Sequence, residues 1–205
     1  MNRTGTVPTD TRRSGDWRFW GGWGIAFVGF PLGGLAASAL VRAASALAGD
    51  VGPVAEGVLA GAVAGAVVGA AQWLVLSRRL PLSPWWVAAT SAGMAVGMAL
   101  GIGLLGTDGT ESAVLLRALA TGAGVGLAQT LVLRDVTNRA PAWGVVVTTG
   151  WVLGWVISTA VGVDLGPWAV FGATGAWAFQ LLTGLTLAWL LRRAYAVSPR
   201  LVVAA

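Results

Sequence analysis

The chain has 205 residues, 56% of them hydrophobic and 10% charged, with a formal charge of +5. Soluble domains carry about 25% charged residues, so the composition excludes an ordinary soluble domain and indicates a multi-pass membrane protein. The absence of Cys and His excludes disulfides, thiolate nucleophiles and Cys or His metal sites, and removes the usual general base.

All thirteen basic residues are arginine. They cluster at the ends of apolar runs, where membrane topology accounts for them, and no nucleic-acid partner is expected. Arginine together with abundant Ala, Gly and Val suits a GC-rich bacterial genome.

Residues 1–18, "MNRTGTVPTDTRRSGDWR", read as a disordered cytoplasmic arm. Arg12, Arg13 and Arg18 before an apolar run resemble the start of a signal peptide. That run is too long for a signal core and lacks a clean A-x-A site, so it is expected to span the bilayer.

A bilayer-spanning helix needs about 20 apolar residues, and six such runs follow. The spans are expected at about Phe19 to Val41, Gly57 to Leu76, Trp85 to Gly106, Ala113 to Leu133, Ala142 to Gly162 and Pro167 to Leu191. The fold class is therefore all-α, a six-helix transmembrane domain over 19–193 with a cytoplasmic tail over 194–205.

Eleven arginines fall on one side of these spans, and only Arg42 and Arg117 on the other. Cytoplasmic loops carry the excess of basic residues, which puts both termini in the cytoplasm of a bacterial plasma membrane. Pro81, Pro84 and Pro141 sit in the cytoplasmic turns, where helices must stop. Trp17, Trp20, Trp85, Trp86, Trp143 and Trp189 are expected at the inner interface and Trp168 at the outer, because indole rings favour the headgroup level.

The stretch "GAVVGAAQWLVL" from Gly65 returns as "GAGVGLAQTLVL" from Gly122, with nine of twelve positions identical. Shifted by 57 residues, Pro84 also meets Pro141, Trp86 meets Trp143, Gly93 meets Gly150 and Gly97 meets Gly154. The repeat unit is a two-helix hairpin, about 57–106 and then 113–162, and both copies enter from the same side in parallel orientation. The first and last helices are left to form a third, split hairpin, or to stand outside the repeat.

Glycine recurs every four residues at Gly57, Gly61, Gly65 and Gly69, which keeps it near one helix face. Small residues let membrane helices approach closely, so these positions read as a packing seam, a glycine zipper. Gln72 and Gln129 lie on or beside that face and point inward. A buried amide needs a partner. Helical rise places Ser91 level with Gln72 and Thr148 level with Gln129 as expected partners, with Thr90 and Thr149 as alternatives.

Other polar or aromatic candidates for ligand or interhelical contact are Gln180, Trp151, Trp155, Trp177 and Arg117. The tryptophans fill space opposite glycine or line a pocket for an apolar molecule. Arg117 snorkels to the surface or pairs with Asp108 or Glu111. Met94 and Met98 are read as core.

The pattern "GAxxGxxQxxVL", followed by a basic turn with Pro, then Trp and "GxxxG", resembles that of small, poorly characterised bacterial membrane proteins with repeated hairpins of this kind. The resemblance covers Gly65 to Gly97 and Gly122 to Gly154 and implies no activity, substrate or site. No Ser–His pair, metal set or carboxylate pair lies in the spans, so no enzyme, catalytic residue, metal or cofactor is expected. The function expected is a packing, assembly or accessory subunit, partnered by lipid and by a membrane protein or a second copy. The alternative is a carrier or binding protein for a small neutral or lipophilic molecule.

Overall fold

A computed structural model describes residues 10–162 and 172–197. The described chain is all helical: α1 (Asp10–Ala26), α2 (Gly29–Ala48), α3 (Pro53–Leu76), α4 (Trp85–Leu105), α5 (Glu111–Leu133), α6 (Ala140–Ala160) and α7 (Ala173–Val197). Among the described residues, five stretches are long and apolar enough to cross a membrane: Trp17–Ala48, which joins α1 to α2, and then α3, α4, α5 and α6. Leucines such as Leu104, Leu127 and Leu35 lie exposed on the outside of the bundle, as a lipid-facing surface requires.

The expected boundaries of the middle helices stand within a few residues. The first helix differs more. It begins at Asp10 rather than Phe19 and continues to Ala48 rather than Val41. No proline interrupts Asp10–Ala26, and the Ala-rich stretch after Arg42 favours helix. Gly49, at φ +77°, then stops it. Residues 10–18, expected as part of a disordered arm, are thus helical, while 1–9 lie outside the described residues. So do Pro167 and Trp168.

The sequence reading did not foresee the break between α1 and α2 at Phe27–Val28. Pro31 explains it. Proline has no N–H to give the carbonyl four residues back, and its ring crowds that carbonyl. The Phe27 carbonyl instead accepts from Phe30 N–H at 2.9 Å, while Phe27 N–H reaches Gly24 at 3.1 Å and Val28 N–H reaches Ile25 at 3.0 Å. The local ladder has tightened to three-residue steps.

Each helix from α2 to α7 packs on the next in chain order, and α1 touches both α3 and α7. The rods therefore close into a ring. Glycines set the closest approaches. A Cβ on Gly65 would lie 2.7 Å from the Thr90 carbonyl oxygen of α4, and one on Gly97 would lie 2.5 Å from Thr121 Cα of α5. On Gly122 it would meet Trp151 Cβ of α6 at 2.7 Å. Nothing larger than hydrogen fits there without moving a helix.

Candidate functional site: a buried amide and indole layer

The polar residues of the core are Gln72, Thr90, Thr121, Gln129, Ser158, Gln180 and Thr183, with no charged side chain among the buried, described residues. Gln72 on α3 and Gln129 on α5 meet across the bundle: Gln129 Nε2 donates to Gln72 Oε1 at 3.3 Å. Gln129 Nε2 also donates to Thr90 Oγ1 at 2.9 Å, and the Thr90 hydroxyl in turn donates to the Trp86 carbonyl. Two indoles complete the layer. Trp86 Nε1 donates to Gln72 Oε1 at 3.3 Å, and Trp143 Nε1 donates to Gln129 Oε1 at 3.0 Å. A buried indole N–H needs an acceptor, and in each case the acceptor is the glutamine fourteen residues earlier. The two rings lie 5.9 Å apart, centroid to centroid.

This corrects two expectations. Trp86 and Trp143 are wholly buried rather than set in an interfacial belt. Their sequence signal was the spacing from Gln72 and Gln129 and the survival of Trp86, but not Trp85, in the second copy. Ser91 and Thr148 do bond across helices, but to main-chain carbonyls. Ser91 Oγ donates to Ala62 of α3 at 2.7 Å and Thr148 Oγ1 to Gly122 of α5 at 3.3 Å, while Thr148 Oγ1 also donates at 2.8 Å to Gly144 within its own helix. Equal height is not enough. Thr90 and Trp86 share the α4 stripe that faces the glutamines, whereas Ser91 is turned toward the α3 backbone, where Gly65 lets it approach.

Gln180 on α7 is also buried, and it meets α1 rather than the other glutamines. Its Nε2 donates to the Trp23 carbonyl, and Trp23 Nε1 donates back to the Gln180 carbonyl at 2.8 Å. Its Oε1 is buried and has no hydrogen-bond partner. An unsatisfied buried acceptor of this kind costs about 1–3 kcal/mol.

The tryptophan candidates separate. Trp151 is buried, edge-on to Phe179 at 5.5 Å and tilted to Phe30 at 6.5 Å. Trp155 is half-buried against the core. Trp177, expected to fill space opposite glycine or to line a pocket, is 52% exposed and stacked on Phe27 at 4.5 Å. It therefore lines no interior pocket.

Arg117 donates from Nη1 to the Gly106 carbonyl at 2.9 Å and from Nη2 to the Asp108 carbonyl at 2.6 Å. It closes the α4–α5 loop through main-chain oxygens rather than through the carboxylates expected. Helix ends leave carbonyls unserved, and a guanidinium fork is well shaped to serve two at once. No known protein family, curated protein or solved structure matches this chain.

Proposed function

We propose that this protein is a non-enzymatic integral membrane protein of a bacterial plasma membrane, most of whose polar chemistry is spent on holding its own helices together. Its role on this reading is packing or assembly, as an accessory subunit beside a membrane-protein partner or a second copy. The observation that carries the reading is the layer at Gln72, Thr90, Trp86, Gln129 and Trp143, in which two glutamines, two indoles and a hydroxyl bond to one another or to the main chain of this protein. No Cys or His occurs in the chain, which removes the usual acid–base and metal chemistry.

The architecture that goes with this function is six spans with both termini cytoplasmic, the sixth being α7. It is built from parallel hairpin repeats α3–α4 and α5–α6, each sewn by a glycine zipper. The support is the recurrence of one bond, indole to glutamine Oε1, at the same separation in both pairs. A third, split pair forms from α7 and α1, joined again by a glutamine and a tryptophan, Gln180 and Trp23. On this reading three glutamine–tryptophan pairs stand around one axis along the membrane normal.

A second reading, a binding protein or carrier for a small neutral or lipophilic molecule, has one observation in its favour: the unpartnered Gln180 Oε1. Mass spectrometry of the protein purified in mild detergent distinguishes the two. A stoichiometric membrane protein supports the accessory role. A stoichiometric small molecule with no protein partner overturns it in favour of the second reading.

A further inference from the structure

The break between α1 and α2 and the unpartnered amide of α7 belong to one arrangement. In an uninterrupted helix the Trp23 carbonyl would receive the Phe27 N–H. At the break Phe27 N–H goes to Gly24 instead, and Gln180 Nε2 takes its place on Trp23. Interrupted helices persist inside membranes when a neighbour satisfies the freed backbone group, and here the neighbour is Gln180.

That bond fixes which end of the amide is which. Turned over, Gln180 Oε1 would confront the Trp23 carbonyl oxygen, acceptor against acceptor. Nε2 is therefore committed to Trp23, and Oε1 is the end left without a donor. The local donors are already engaged. Thr183 Oγ1 donates to the Phe179 and Gln180 carbonyls, and Trp23 Nε1 to the Gln180 carbonyl. The oxygens of Gln72 and Gln129, by contrast, each receive an indole N–H.

We infer that Gln180 Oε1 anchors a binding site at the α1–α2 break for a neutral molecule presenting one hydroxyl donor. Neutrality follows from a core without a buried charge among the described residues. The Trp23 indole, whose N–H reaches the Gln180 main-chain carbonyl at 2.8 Å, gives a flat or aliphatic body an aromatic neighbour behind that hydroxyl. Broken helices frame substrate sites in many transporters for the same reason, an interior place where backbone and amide groups are free to bind. The donor has two sources, a water or the hydroxyl of a lipophilic alcohol or phenol. The latter rests on the binding-protein reading above.

The test uses the full chain in detergent with 4-bromophenol, which has the donor, and 4-bromoanisole, which lacks it. If the lipophilic source is correct, 4-bromophenol raises the unfolding midpoint more than 4-bromoanisole does, and the gap closes in Gln180→Met. Crystals of the unaltered protein soaked in 4-bromophenol then show bromine beside Trp23, with the hydroxyl oxygen in hydrogen-bond reach of Gln180 Oε1. If water is the source, the two compounds act alike and one solvent peak lies about 2.8 Å from Oε1, within the O–H···O range. That outcome sustains the donor site and sinks the binding-protein reading. Bromine found elsewhere in the bundle with Oε1 bare overturns the site and leaves that reading standing. Oε1 bare in both soaked and unsoaked crystals, with no bromine bound, overturns both.

Discussion

Gln129 makes three side-chain hydrogen bonds, donating to Gln72 and Thr90 and accepting from Trp143. Replacing it with leucine strands the buried Trp143 N–H, and the stranded group costs more than the bond contributed. Gln129→Leu is therefore expected to lower stability by about 1–3 kcal/mol. Gln129→Leu combined with Trp143→Phe, which removes both ends, is expected to cost less than the two single changes added. Unfolding of the three variants in mixed micelles gives the cycle directly. Strict additivity would show that the pair is not coupled. Buried membrane hydrogen bonds average about 0.6 kcal/mol in such cycles, so the coupling sought is small beside the cost of the stranded N–H.

At the scale of the helix, glycine fixes distance and the amide layer fixes register. A side chain on Gly65 meets the α4 backbone below 3 Å, whereas one on Gly34 of α2 finds nothing within 4 Å. Gly65→Leu is expected to cost about 1–3 kcal/mol or more through overpacking. Gly34→Leu, on a helix of similar length, is expected to be close to neutral. Equal melting temperatures for the two in detergent would refute the close-packing account. Gly106 makes a poor control despite its open surroundings: its φ of +68° ends α4, and a side chain is strained there whatever the space.

At the scale of the molecule, the orientation proposed above depends on the arginines of the α3–α4 and α5–α6 turns, Arg78, Arg79, Arg134 and Arg139. Arg139 lies over the ring of Trp189, 4.8 Å from its centroid, a cation–π contact between an arginine and an indole of the kind found at membrane interfaces. The opposite turn, between α4 and α5, holds Asp108 and Glu111. A cysteine at Gly109, where a side chain meets nothing within 4 Å, is expected to react with an impermeant maleimide in intact cells. Reaction only after permeabilisation would reverse the topology.

Sequence alone determined what depends on composition and local period. A charge-poor chain with apolar runs of bilayer length must be helical in lipid, because only a helix satisfies its own backbone there. The boundaries of α3 to α6 follow from proline, glycine and charge. Glycine spacing marked the faces that approach closely, and Gln72 and Gln129 were recognisable as inward-facing because they lie on those faces. Tertiary structure decided what depends on azimuth between helices, which rise along an axis does not specify. It chose Trp86, Trp143 and the expected alternative Thr90 over Ser91 and Thr148 as the glutamines' companions, and it put Trp177 on the surface. It also tied Gln180 to α1. That bond joins residues 157 positions apart. It exists because the helix break turns the Phe27 N–H to Gly24 and leaves the Trp23 carbonyl to the amide that α7 presents, and no local pattern in either segment records that meeting.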